Sequence, residues 1–185
     1  MLPSDDLSAA GFDQPFGLLR GCHARIARMD ALLLRLIDHV AAHGADAQAQ
    51  QAAHKVLRYF DLAAPLHHED EERHVFPALR QHAGQALALA AVLDRLEAEH
   101  GELAALWPPL RAWLLQVQDG AAQPAAQALV ATAQRFSALH ATHIAVEDAQ
   151  IFPAAQACMA AAQLAAMGQD MAARRGVRWP ATTAG

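Results

Sequence analysis

Apolar residues recur at three- and four-residue spacing along nearly the whole chain, the period of an amphipathic helix. The first stripe, Leu18, Leu19, Ile26, Met29, Leu33, Leu36, Ile37 and Val40, predicts a helix from Phe16 to His43 that Gly44 stops. A second, through Val56, Tyr59, Phe60, Leu66 and Val75, predicts a helix from Ala47 to Leu79, with a reversal at His82, Ala83 and Gly84. The third runs from Gln85 to Gln118 through Leu89, Val92, Leu96, Leu103, Leu106, Leu110 and Leu114, and ends at Asp119-Gly120. The fourth starts at Pro124, a residue suited to a first helical turn, and carries Leu129, Val130, Phe136, Leu139, Ile144 and Ile151 to about Pro153. Four long helices with short turns imply an all-α fold, an antiparallel up-down-up-down four-helix bundle. Residues 1–14 read as an N-terminal arm, 15–158 as the bundle, and 159–185 as a C-terminal helical extension ending in a frayed tail from Ala172. Pro65, Pro108 and Pro109 fall inside predicted helices, where kinks are expected.

Composition sharpens this picture. The 185 residues include 47 alanines and 11 histidines but one tyrosine, so good helix formers dominate. The net charge of −5 and the lack of a basic stripe along any one segment argue against a nucleic-acid or membrane-surface partner. The longest apolar run, Ala86 to Leu93, is far shorter than the roughly 18 to 20 residues of a membrane span. The acidic start of the chain does not resemble a secretory signal, and Cys22 and Cys158 suggest no disulfide framework, so a cytoplasmic location is expected.

Two segments repeat one pattern, H-x-x-x-E-x-x-x-x-F-P: from His67 through Glu71 to Phe76-Pro77, and from His143 through Glu147 to Phe152-Pro153. Helical residues four apart share a face, so each pair can hold one metal centre between an imidazole and a carboxylate. A further histidine precedes each pair, His23 by 44 residues and His100 by 43, which makes the chain a duplicated hairpin. Residues equidistant from an antiparallel turn lie at one level: His23 and His67 are 21 and 23 residues from Gly44, and His100 and His143 are 20 and 23 from Gly120. At about 1.5 Å per residue the mismatch is only about 3 to 5 Å, so the imidazoles belong to one layer. Such a layer would be costly without cations, and Glu71 and Glu147 are placed to bridge two of them. Mixed nitrogen and oxygen donors favour iron, with manganese or zinc chemically admissible.

Among the other histidines, His39, His43 and His54 are too far along their helices and read as surface residues. His68 points away from His67, and His82 sits at a turn. His74 and His140 share the metal-facing side and are candidate supporting or alternative ligands. Glu72, Glu97 and Glu102 are candidate outer hydrogen-bond partners. Tyr59 and Cys22 read as packing residues, and Arg174-Arg175 as charges at a helix C-terminus.

With these motifs, residues 15 to 158 resemble the hemerythrin-like (HHE cation-binding) family, a four-helix bundle with a non-haem di-iron site. The resemblance implies that His23, His67, His100 and His143 are terminal imidazole ligands and that Glu71 and Glu147 bridge two iron ions. Oxygen-carrying hemerythrins place a second histidine one turn along the third helix, where this chain has Leu96 and Ala104 around His100. They also carry an aspartate five residues after the fourth-helix histidine, where this chain has Glu147 at four. The His4Glu2 set is closer to iron–sulfur-cluster repair proteins, whose N-terminal cysteine-bearing domain is not in this sequence. The expected role is binding or sensing of O2, peroxide or NO, or iron handling. A di-iron enzyme of peroxidase, NO-reactive or cluster-repair type and a metal-gated interaction protein are the alternatives.

Overall fold

A computed structural model describes residues 11–82 and 87–178. The reversal expected at Ala83-Gly84, most of the N-terminal arm and the end of the tail, with Trp179 and Pro180, lie outside the described residues. All regular structure in the described residues is helical, in five rods. α1 (Pro15–His43) is the first rod. The second chains α2 (Ala47–Arg58), α3 (Ala64–Asp70) and α4 (Phe76–His82). The third is α5 (Leu87–Gln118), the fourth α6 (Gln127–Val146) with α7 (Phe152–Cys158), and the fifth α8 (Ala161–Arg174). The first four close a ring in which α1 packs on α2 and α6, and α5 packs on both of the same neighbours. No single helix among the described residues is long and apolar enough to cross a membrane.

The breaks inside the second and fourth rods are π-turns, at Tyr59–Ala63, Glu71–Val75 and Glu147–Ile151. Each ends two residues before a proline: Pro65, Pro77 and Pro153. Proline removes the amide that would bond four residues back, and its ring clashes with that carbonyl. Widening the turn before it relieves the clash, and the amides of Ala64, Phe76 and Phe152 bond five residues back to Tyr59, Glu71 and Glu147. The distortion expected at Pro65 therefore takes this form. At Pro108-Pro109 α5 runs on unbroken, because the carbonyls that lose partners belong to the exposed Ala104 and Ala105, where water can bond them.

Two other expectations change. Pro124 does not open the fourth rod, which starts at Gln127 after the extended Ala126. The segment before it is held by the Trp113 indole, which donates to the Gln123 carbonyl at 3.1 Å. Ala172 to Arg174 are not frayed either, since α8 continues through them with Met167, Met171 and Ala172 buried.

The apolar interior forms two clusters. One gathers Ile26 to Val40, Ala49 to Ala64, Leu103 to Val117, and Ala133 with Phe136. The other gathers Phe16 to Leu19, Val75 to Leu79, Leu93 with Leu96, Ile151 to Ala155, and the buried face of α8. Along each of the four main rods the gap between clusters falls at a histidine, and there the polar residues sit.

Candidate metal centre

α1 presents His23, α3 His67, α5 His100 and α6 His143, while Glu71 and Glu147 each open a π-turn. All six side chains are at most 5% exposed. Their donor atoms form two sets, His23, His67, Glu71 and Glu147, and Glu71, His100, His143 and Glu147, with every donor in a set within 4.8 Å of the others. The two glutamates are common to both sets. Glu71 lies 3.4 Å from His67 Nε2 and 3.6 Å from His100 Nε2, and Glu147 lies 3.1 Å from His23 Nε2 and 3.2 Å from His143 Nε2. Nε2 of His100 and Nε2 of His143 face each other at 3.0 Å. Such spacings are what neighbouring donors show around one ion held at about 2.1 Å.

Chemistry supports the same conclusion. Both oxygens of Glu71, both of Glu147 and His23 Nε2 are buried with no hydrogen-bond partner. Burying carboxylates this way costs several kcal/mol, roughly, unless a cation offsets it. Protonation behaves accordingly. Burial, then the neighbouring Glu147 charge, holds the Glu71 pKa well above the carboxylate range. At Glu147 burial acts in the same direction, but the adjacent imidazoles of His143 and His23 outweigh it and lower the value to about 2. His23 is desolvated too, yet Asp148, Glu147 and Glu71 push it up to about 11. His67 is held well below its ordinary value by burial and by the surrounding imidazoles. The donors present fit two bound cations.

Carboxylates orient three of the imidazoles from behind. His100 Nδ1 donates to Glu72 at 2.8 Å, His143 Nδ1 to Glu99 at 2.9 Å and His23 Nδ1 to Asp148 at 3.1 Å, leaving each Nε2 for the centre. Of the expected outer partners only Glu72 is in place. Glu97 pairs with Arg80 and Glu102 with Arg135 on the surface. Glu99 and Asp148 escaped the sequence reading, although each adjoins a candidate ligand and so points toward the next rod. The Phe of each Phe-Pro pair serves the opposite half: Phe152 stacks on His23 at 5.0 Å between ring centroids, and Phe76 lies nearly parallel to His100 at 5.9 Å.

Residues 14–155 match the hemerythrin HHE cation-binding domain. The chain belongs to that family. It is also 32% identical to an uncharacterised protein of Haemophilus influenzae over 169 residues, 91% of this chain and 94% of the relative. In this HHE domain the remaining histidines take other places. His140 is buried against Asp30 at 3.0 Å, between Phe60 and Phe136. His74 pairs with Asp170 of α8 at 2.8 Å, away from the centre, so it is neither a ligand nor a support. His68 does not turn outward: its ring stacks on His100 with centroids 4.0 Å apart. Beside it lies a largely apolar cavity of about 180 Å³ bounded by Phe60, Leu103, Trp107 and Phe136.

Arg174 and Arg175 do more than end a helix. Both reach the fully buried Asp70, Arg175 Nη2 at 2.6 Å from Asp70 Oδ2, and Arg174 also bonds Asp170. They dock α8 onto the residue next to Glu71.

Proposed function

We propose that this HHE domain is a non-haem dinuclear iron protein of the cytoplasm, one that binds or senses O2, peroxide or NO or handles iron. The observation that carries the reading is the set of four partnerless carboxylate oxygens on Glu71 and Glu147, placed between two pairs of imidazoles. His23 and His67 would hold one ion, His100 and His143 the other, and both glutamates would be shared. Bound iron would supply Lewis acidity and one-electron redox chemistry there. Four donor side chains per ion are fewer than the six that octahedral preference fills, which favours a protein that admits an outside ligand. The largely apolar cavity next to His68 suits a small uncharged molecule, and the His68 ring that lines it stacks on His100. Carboxylates that hold Nδ1 of His23, His100 and His143 aim each Nε2 inward.

Protein purified from iron-replete cells is expected to carry two iron atoms per chain and to absorb visible light after exposure to air, which a zinc form does not. Glu147→Gln should take the metal content close to zero, because both ions lose a donor. Retention of two metals per chain by that variant, or zinc alone in the wild type, would overturn the respective half of the reading.

A further inference from the structure

With a net charge of −5, most cationic side chains of this chain are held by carboxylates. Arg20 meets Asp148, Arg73 Glu69, Arg80 Asp94 and Glu97, and Arg111 Asp61. One region is arranged differently. Between α1 and α2 a groove of about 350 Å³ is lined by Arg25, Arg28, His54, Lys55 and Arg58, with Met29 and Tyr59 as its remaining walls. Among the described residues its lining includes no carboxylate, and Arg25, Arg28 and Lys55 enter no ion pair. Lys55 is the only lysine in the sequence.

The placement is costly on its own. Arg25 and Arg28 are three residues apart on α1, so like charges share that face, and Lys55 opposes them from α2. A polyanion seated between them would remove that repulsion and gain charge-assisted hydrogen bonds from guanidinium groups suited to phosphate. The walls are tied together, since the Tyr59 hydroxyl donates to the Cys22 carbonyl at 3.1 Å, so the groove is preformed. At about 350 Å³ the open groove is larger than a single tetrahedral anion. A single phosphate would leave most of it to solvent, whereas a di- or triphosphate chain fills it.

We propose that the groove between α1 and α2 binds a polyphosphate chain, free or carried by a nucleotide, through Arg25, Arg28 and Lys55. This site is separate from the metal centre and does not depend on the reading given for it.

The test is calorimetric titration of the full chain as purified with tripolyphosphate, ATP, orthophosphate, adenosine and a short single-stranded RNA, with metal content measured before and afterwards. Expected are saturable binding of tripolyphosphate and ATP at one site, weakening as salt rises, and at least tenfold weaker binding of orthophosphate and adenosine. Equal affinities for tripolyphosphate and ATP make the phosphate chain the whole ligand, and a tighter ATP adds the nucleoside; both support the proposal. Arg28→Glu with Lys55→Glu, at two exposed positions, should weaken binding tenfold or more with the circular dichroism spectrum unchanged. Arg25→Gln is the milder second variant and should weaken it severalfold. Absent saturation, affinity unaltered in both variants, heat that tracks loss of metal, or tighter binding of a short RNA would overturn the proposal.

Discussion

The two halves of the duplicated hairpin offer the same ligands but surround them differently. Aligning His67 with His143 pairs Glu72 with Asp148, and these two do the same work crosswise: each follows a shared glutamate and holds the first histidine of the other half, His100 or His23. Phe76 and Phe152 cross in the same way. The match fails one residue before those histidines, where Glu99 stands opposite Cys22. Glu99 accepts from His143, whereas His67 Nδ1 has no partner. At another pair of positions Asp70 replaces the apolar Val146, and α8 supplies two arginines to balance it. One half orients both of its imidazoles through carboxylates; the other leaves His67 to packing and gains an external brace.

The largest effect should come from removing that brace. Arg174→Ala with Arg175→Ala leaves Asp70 buried without a counter-charge, and the expected loss is about 3–5 kcal/mol of unfolding free energy in urea titration. Since Val146 asks for no such partner, a loss under 1 kcal/mol would mean that the two halves are braced alike. Next in size, Glu99→Gln should weaken metal retention at the His100 and His143 position roughly 10- to 100-fold in chelator competition, making it as labile as the His23 and His67 position. In the wild type the two ions should therefore leave in two steps, and a single step would erase the distinction. The smallest effect concerns Asp170. Partial burial works against its charge, but His74 and Arg174 outweigh that and lower its pKa. Its contribution is thus complete above the unfolded value of about 4 and disappears as pH falls through the lower folded value. The difference in melting temperature between wild type and Asp170→Asn should shrink from pH 6 to pH 3.

The rods and the convergence of six side chains were legible because helical period and distance from a turn are properties of residue numbering alone. Glu99 and Asp148 were not, since a residue beside a ligand announces its angle on its own helix but not which neighbour it meets. Arg174 and Arg175 resembled ordinary helix-end charges because Asp70, their partner, is about a hundred residues earlier. The basic groove was hidden for the same reason: neither α1 nor α2 is basic over any run, and only their packing brings the cations together. Phe-Pro was visible as a motif, yet its effect on the preceding turn depends on a backbone clash that no composition reveals.

Those widened turns also shift the helical register. In an α-helix a π-turn amounts to one inserted residue. The insertions at Glu71–Val75 and Glu147–Ile151 occupy equivalent places in the two copies. Each therefore turns the residues after its glutamate by about 100° relative to an unbroken helix, and both copies do so at the same level. The one at Tyr59–Ala63 has no counterpart in α6, which is regular throughout the matching stretch, and it falls in the hairpin whose two histidines stand one residue farther apart, 44 against 43.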